Sequence, residues 1–183
     1  LYEIEEVQDE SWAKPKNTII IANKLAEETM AKCRVTKYKK IRELSSKDLN
    51  DINLSHPFSN LEGAESFWNY SVPLVEADHV TDEAGTGFVH IAPSHGAEDF
   101  EVFLKRGWLS RMTNNVEDDS SFANNVPFFR GLQIFNKKGR EGEGNKAVIQ
   151  KLIEANKLIA RGILEHSYPH SWRSRAPVIF RNT

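Results

Sequence analysis

Short strand-like runs recur along this chain, and glycine, proline or polar turn residues end each of them. Residues 1–7 alternate apolar and charged side chains, as a strand with one buried face does, and residues 18–22 form a β-branched run. Many short strands interrupted by a few helices indicate an α+β protein with a curved sheet or a β-barrel-like core and flanking helices. The predicted strands are 1–7, 18–22, 35–44, 72–80, 88–93, 131–135 and 163–168.

Three amphipathic stretches predict the flanking helices at residues 24–32, 97–105 and 145–157. The third has the clearest pattern, because Val148, Ile149, Leu152 and Ile153 repeat at helical spacing. Residues 45–61 show little periodicity, and residues 110–130 are polar and rich in turn residues. We expect the latter to form a long surface excursion.

Composition limits the classes of protein that need consideration. The 183 residues suit one domain with attached linker segments, and 24 basic against 26 acidic residues leave a net charge of −2. The chain therefore has no global electrostatic pattern for nucleic-acid binding, and any RNA contact must be local. Cys33 is the single cysteine, which excludes an internal disulfide and a cysteine-cluster zinc site and favours a reducing, cytoplasmic setting.

Two further expectations concern the context of the chain. No apolar run approaches the roughly 20 residues that a membrane-spanning helix needs, so we expect no membrane association. The chain begins within a strand-like run and without an initiator methionine, so we expect it to be a fragment of a longer protein.

The densest cluster of chemically useful residues is GTGFVHIAPSHGAEDF at 85–100. Two glycines flank Thr86 and allow the backbone to approach a ligand closely. His90 lies in a predicted strand that soon ends in Ala92 and a proline. Asp99 falls in the first turn of the predicted helix 97–105, where the helix N-terminus stabilises an ionised carboxylate. Such a carboxylate is a ready partner for the ammonium group of a ligand.

Spacing alone leaves several readings of this cluster open. Asp99 could simply stabilise its helix, and His90 could be a hydrogen-bonded core histidine. His90, His95 and Asp99 could bind a metal ion, although their spacing matches no HExxH-type site. Ser94 beside His95 could be a nucleophile, although no GxSxG elbow is present.

The cluster resembles the GTGxVHxAPxHGxxD segment of isoleucyl-tRNA synthetase editing domains. A second stretch, HSYPHSWR at 166–173 followed by APVIFR at 176–181, resembles the HSYPHCWRCxxPxIxR segment by which the inserted domain of that family returns to its core. The sister valyl and leucyl enzymes share the GTG start, but they lack the histidine at position 90 and usually carry Asp at position 96.

The resemblance implies a function and a role for individual residues. It implies an editing module that hydrolyses mischarged Val-tRNA(Ile), with residues 1–165 as the editing domain and 166–183 as the return connector. Asp99 matches the aspartate that binds the α-ammonium of the mischarged amino acid, and His90 matches the wall that rejects isoleucine. Tyr168 matches an aromatic position near the aminoacyl-adenosine, and Thr86 and Ala92 are further substrate-binding candidates.

The resemblance also implies partners. They are the 3′ end of tRNA(Ile) carrying valine and the remainder of the synthetase chain, and we expect the fragment itself to be monomeric. ATP and Mg²⁺ belong to the parent synthetase core, so we expect no cofactor in this fragment.

Two departures from the family pattern stand out. The family's editing site also uses a threonine-rich strand, expected upstream of residue 1, so the isolated fragment is expected to be an incomplete catalyst. Ser171 and Ser174 stand where many relatives have zinc-binding cysteines. A serine hydroxyl does not replace a thiolate on structural zinc, so the sequence predicts no zinc here.

Two alternative functions remain at this stage. The first is a valyl or leucyl editing domain, against which His90 and Gly96 argue. The second is a non-catalytic RNA-binding module, because basic residues interleaved with aromatic ones can bind single-stranded RNA. Its candidate residues are Arg173, Arg175 and Arg181 with Trp172 and Tyr168.

Overall fold

The computed structural model describes residues 1–163 and 167–181. The described residues combine two small antiparallel sheets with separate helices, in agreement with the predicted α+β class. The strands are β1 Tyr2–Val7, β2 Thr18–Ile19, β3 Val35–Lys40, β4 Asn53–Ser55 and β5 Ser71–Pro73, and the α-helices are α1 Ala26–Lys32, α2 Ser46–Asn50, α3 Ala97–Lys105 and α4 Glu143–Glu154.

The chain divides into two compact units. The first contains residues 1–59, 69–90 and 152–163, and the second contains residues 60–68, 91–151 and 164–183. The division between residues 90 and 91 falls within the cluster 85–100 that the sequence singles out.

An antiparallel sheet with strand order β2-β1-β3 organises the first unit. Tyr2 and Ile4 of β1 are buried, while Glu3 and Glu5, which alternate with them, form ion pairs with Lys39 and Lys37 of β3. The strand forms because its period-two pattern matches a sheet with one buried and one solvated face. The core beneath it contains Tyr2, Ile4, Ala13, Ile21, Ala26, Met30, Cys33 and Val35.

Helix α1 closes this core. Met30 is completely buried, and Cys33, which follows the helix, is also buried. Burial raises the pKa of the Cys33 thiol above its ordinary value, which suits a packing role better than a reactive one. Complete burial of a side chain such as Met30 stabilises the fold by about 1.5–3 kcal/mol.

The stretch 45–61, for which the sequence shows little periodicity, contains regular structure. Ser45 and Asp48 form a reciprocal capping box at the start of α2, and β4 then pairs with β5 in a separate two-stranded sheet. The hydrogen bonds from Ser45, together with Arg42, lower the pKa of Asp48 to about 2. The short helix therefore rests on its cap rather than on an apolar face, which periodicity does not reveal.

The second unit buries residues from the stretch 110–130, which we expected to be a surface excursion. Val116, Ala123, Val126 and Phe129 are all buried, and Val126 is only 1% exposed. The backbone N–H of Phe122 donates to Leu132 O, so the stretch folds back on the segment that follows it. The expectation was wrong because polar turn residues separate these apolar side chains and hide their pattern.

Helix α4 begins where the chain passes close to Gln133. A Cβ atom at Gly142 would lie 2.1 Å from Gln133 O, so only glycine fits there. Asn156, two residues after the end of the helix, has φ 55°, and a left-handed residue at such a position commonly terminates a helix. The observed span, Glu143–Glu154, lies two to three residues before the predicted one.

The predicted β-barrel-like core does not form among the described residues, which contain two small open sheets instead. Residues 72–80 contribute only the end of β5, and no strand forms at 88–93 or 131–135. A strand needs a hydrogen-bonded neighbour, and the composition of a short apolar run does not show whether one is available. The predicted strand 163–168 and the predicted domain boundary at 165–166 fall partly outside the described residues.

Across residues 1–163 and 167–181, no helix combines the length and the apolar character that a bilayer span requires.

Candidate functional site

Asp99 folds back from the first turn of α3 towards the loop that precedes the helix. Its Oδ2 accepts a hydrogen bond of 2.9 Å from the backbone N–H of Ala92, and the side chain is half-buried. Gly96, the N-cap residue, lies beneath the carboxylate, and a Cβ atom there would be 2.8 Å from Oδ2. The structure thus brings together two of the predicted site residues, Ala92 and Asp99, and gives a physical reason for glycine at position 96.

Ser94 and His95, which lie between Ala92 and Asp99 in the sequence, each bind a backbone carbonyl oxygen. Ser94 is 6% exposed, and its hydroxyl donates to Thr113 O at 2.7 Å. The Nδ1–H of His95 donates to Phe180 O at 2.7 Å, since a carbonyl can only accept. In these hydrogen bonds Ser94 and His95 bind backbone carbonyls and not each other. The contacts therefore favour a positioning role over nucleophilic chemistry.

Thr86 lies in a turn whose flanking glycines both have left-handed backbone. Gly85 has φ +68° and Gly87 has φ +81°. The carbonyl of Thr86 accepts from the Ala22 N–H at 2.8 Å, and its Oγ1 accepts from the Phe88 N–H at 3.3 Å. The turn is therefore fixed on both sides of Thr86 within the first unit.

His90 is exposed and lies in irregular backbone rather than in the predicted strand 88–93. Its exposure argues against the alternative of a core histidine. A second imidazole, that of His56, lies close enough for the charge of His90 to affect it. Burial first, and then that charge, lower the pKa of His56.

His56 was not among the predicted site residues. Its Nδ1 accepts the backbone N–H of Phe58 at 3.1 Å, and its ring packs against Phe58 and Tyr70 at centroid distances of 5.3 and 5.7 Å. An accepting Nδ1 leaves the proton of the neutral ring on Nε2. The only available signal in the sequence was the His56-Pro57 turn, which by itself indicates a bend rather than a partner for His90.

Tyr168 belongs to the second unit and is 42% exposed. Its ring makes edge contacts with Phe135 and His170, at centroid distances of 6.1 and 6.2 Å. Phe135 also lines a cleft of about 600 Å³. The polar walls of that cleft include Asp118, Gln133, Asn136, Lys137 and Arg181. Tyr168 is therefore held by aromatic neighbours on its own unit.

The predicted site residues are thus divided between the units. Thr86 and His90 belong to the first unit, and Ala92, Asp99 and Tyr168 belong to the second. Within the described ranges, no group of three or more His, Cys, Asp or Glu side chains is arranged to hold a metal ion.

The candidate RNA-binding arginines differ from one another. Arg181 pairs with Asp118 and donates to Val116 O at 3.0 Å, and its side chain is only 24% exposed. Arg173 stacks over Trp172 at 5.1 Å, and this ring is 84% exposed. The contacts with Asp118 and Val116 make Arg181 less available to a phosphate backbone. Arg173, Arg175 and Arg181 therefore do not form one open basic surface.

No family model matches the chain. It is 44% identical over 190 residues to the isoleucine–tRNA ligase of Bradyrhizobium diazoefficiens, 45% over 183 residues to that of Caulobacter vibrioides and 45% over 186 residues to that of Ruegeria pomeroyi. These matches cover 98–100% of the chain but only 18–19% of each relative.

Identity at this level extends along the whole chain. The chain spans about a fifth of the length of these relatives, so it corresponds to one segment of them. The whole chain is therefore similar to one segment of isoleucine–tRNA ligases.

Proposed function

We propose that this chain is the editing module of an isoleucine–tRNA ligase and hydrolyses the ester of mischarged Val-tRNA(Ile). One observation carries the proposal: the Asp99 carboxylate is held over Gly96 by the Ala92 N–H at the start of α3. A carboxylate that is fixed near a helix N-terminus suits recognition of the α-ammonium group of an amino acid. Similarity to isoleucine–tRNA ligases along the whole chain supports an aminoacyl-tRNA as the ligand of this carboxylate.

The need for such a module follows from the chemistry of the two amino acids. Valine is one methylene smaller than isoleucine, so a pocket that accepts isoleucine cannot exclude valine by size. The methylene is worth only about 1–3 kcal/mol of discrimination, a general magnitude for which isoleucyl-tRNA synthetases are themselves the standard example. A second pocket that admits valine and rejects isoleucine supplies the remaining discrimination.

The reaction is hydrolysis of an activated ester. Water attacks the carbonyl carbon, the bond to the ribose oxygen breaks, and the tRNA hydroxyl and free valine leave. In the proposal Asp99 binds the ammonium, His90 limits the size of the side-chain pocket, and Thr86, Ala92 and Tyr168 contact the aminoacyl-adenosine. Positioning of the water and the ester supplies the rate, so no nucleophilic side chain is required.

The proposal also names partners. The module acts on the valine-carrying 3′ end of tRNA(Ile) as part of a longer cytoplasmic synthetase chain. ATP and Mg²⁺ serve amino-acid activation elsewhere in that enzyme and enter no step assigned here.

A charge-selective substitution tests the role of Asp99. Asp99→Asn keeps an oxygen that can accept the Ala92 N–H but removes the negative charge, whereas Glu98→Gln removes a neighbouring charge from the same helical turn. Loss of a charge-assisted contact is worth about 1.5–3 kcal/mol, or about 10–150-fold in rate. In the full-length synthetase, Asp99→Asn should slow deacylation of Val-tRNA(Ile) by that factor, and Glu98→Gln should not. Normal deacylation by Asp99→Asn would assign Asp99 to the loop structure alone.

A non-catalytic RNA-binding module is the second candidate, favoured by the exposed Trp172 ring with Arg173 stacked on it. Trp172→Ala separates the two functions. If the chain only binds RNA, this variant should lose tRNA affinity while Asp99→Asn keeps it, and no variant should change ester hydrolysis.

A further inference from the structure

The turn that carries Thr86 is packed onto a different part of the first unit, the segment from Ala22 to Thr29. Two hydrogen bonds join the two segments. The backbone N–H of Ala22 donates to Thr86 O at 2.8 Å, and the Oγ1 hydroxyl of Thr29 donates to Gly85 O at 3.1 Å.

Steric fit adds a third restraint. A Cβ atom on Gly87 would lie 2.7 Å from Cβ of Ala22, so the turn approaches Ala22 as closely as a glycine allows. Nothing lies within 4 Å of a Cβ atom built on Gly85. The glycine at this position is therefore required by its left-handed φ of +68° and not by a close contact. The close approach is therefore specific to one side of Thr86.

An ion pair joins the same two segments nearby. Lys24 Nζ lies 2.8 Å from Asp82 Oδ2. Both groups are exposed, so solvent screens this ion pair and it contributes little to the order of the turn. Thr29 lies within helix α1, where threonine hydroxyls often bond to a preceding carbonyl of their own helix. Here the hydroxyl serves another segment, 56 residues away in sequence.

We propose that Ala22 and Thr29 are positioning residues that fix the Gly85–Gly87 turn, and through it Thr86, in the geometry that deacylation requires. This inference rests on the proposed function, because it assigns Thr86 to the editing site. Ala22 and Thr29 act through the turn and do not contact substrate. A turn with two left-handed glycines has many accessible conformations, and the contacts with Ala22 and Thr29 select one of them.

The hydroxyl is tested by a matched pair of variants. Thr29→Val keeps the β-branched shape and removes the donor, whereas Thr29→Ser keeps the donor. In the full-length synthetase, Thr29→Val should slow single-turnover deacylation of Val-tRNA(Ile) about 3–10-fold, the effect of one neutral hydrogen bond, and Thr29→Ser should stay within about two-fold. Equal rates for Thr29→Val and the unchanged enzyme would overturn the proposal.

A double-mutant cycle separates positioning from general stability. If Thr29 acts through Thr86, then Thr29→Val should have no further effect once Thr86→Ala has removed the side chain that it positions. Additive effects of the two substitutions, or no effect of Thr86→Ala on deacylation, would refute the proposal.

The close contact offers a second, independent pair. Gly87→Ala introduces both backbone strain and the clash with Ala22, and Ala22→Gly removes only the clash. The double variant should therefore recover part of the deacylation that Gly87→Ala loses. No recovery would show that the contact with Ala22 is irrelevant to the turn.

A readout besides activity keeps the two proposals distinguishable. Hydrogen exchange of peptides covering residues 81–90 should speed up in Thr29→Val and Gly87→Ala but not in Thr29→Ser. If Asp99→Asn loses deacylation while Thr29→Val changes neither exchange nor rate, only the positioning role fails. If the unchanged enzyme shows no deacylation, the proposed function fails, and the role of Thr86 fails with it.

Discussion

Gly96 lies directly beneath the carboxylate of Asp99, and a Cβ atom at this glycine would be 2.8 Å from Oδ2. Its φ of −114° is accessible to any residue, so the carboxylate, and not the backbone, is what excludes a side chain. Glycine at position 96 therefore allows the Asp99 carboxylate to take this orientation.

Gly96→Ala should displace the Asp99 carboxylate at small cost to folding, because the side chain can rotate away. Deacylation of Val-tRNA(Ile) should then fall about ten-fold or more, the lower range for a lost charge-assisted contact. Gly162→Ala is the matched control, since Gly162 has no left-handed φ and nothing within 4 Å of its position for Cβ. Single-turnover deacylation of both variants measures the difference, and equal rates would contradict the proposed importance of the carboxylate position.

His90→Ala tests whether this residue limits the pocket or performs acid–base chemistry. Removing a wall adds room, so the variant should begin to hydrolyse correctly charged Ile-tRNA(Ile) while keeping much of its action on Val-tRNA(Ile). Loss of a general base would instead slow hydrolysis about 10²–10⁴-fold. The measurement is a paired time course on both charged tRNAs, with exposed Val89→Ala as the control. A variant that loses Val-tRNA(Ile) hydrolysis and gains nothing on Ile-tRNA(Ile) would place His90 in the chemistry.

His56 should make the stability of this chain sensitive to acid. Its neutral ring accepts the Phe58 N–H, and burial followed by the charge of His90 lowers its pKa below the ordinary 6.5. The contribution of the neutral His56 ring to the free energy of unfolding is therefore fully present above pH 6.5. It is lost as the pH falls through the lowered pKa of His56. His56→Asn can still accept the Phe58 N–H but does not titrate. As the pH is lowered from 8 to 5, the urea midpoint of this variant should therefore fall less steeply than that of the unchanged chain. Identical pH profiles would exclude His56 as the sensitive group.

Met30→Ala should destabilise the 183-residue chain by about 2–5 kcal/mol, because Met30 is completely buried in the core beneath the β2-β1-β3 sheet. Glu27→Ala changes an exposed residue of the same helix and should cost less than about 0.5 kcal/mol. Urea unfolding of both variants provides the comparison. A cost for Met30→Ala as small as the cost for Glu27→Ala would show that this core is not packed as described.

The segment around Ser171 and Ser174 should not hold zinc. Ser171 Oγ accepts from the Ser174 N–H at 3.3 Å, and the Ser171 carbonyl accepts from the Arg175 N–H at 2.8 Å, so internal hydrogen bonds close this turn. Neutral hydroxyls replace the thiolates that structural zinc requires. Elemental analysis of the purified protein after dialysis should find far less than one zinc per chain, and a stoichiometric value would require another ligand set.

Local patterns sufficed for part of this fold. The alternation at residues 1–7 correctly predicted β1, and the apolar spacing at 97–105 correctly predicted α3 with Asp99 in its first turn. The GTG and HG motifs also carried the resemblance that agrees with the relatives found. These features succeed because a helix or a single strand face depends on residues close in sequence.

Tertiary structure decided the remainder, because it depends on pairing between segments that are distant in sequence. The sequence does not reveal that residues 88–93 lack a partner strand among the described residues, or that two small open sheets replace the predicted barrel. Nor does it reveal that Thr29 holds Gly85 or that His56 lies near His90. The sequence by itself determined the similarity to isoleucine–tRNA ligases and the candidate side chains. Only folding decided which of these side chains meet, since each such contact closes a long loop that no local pattern records.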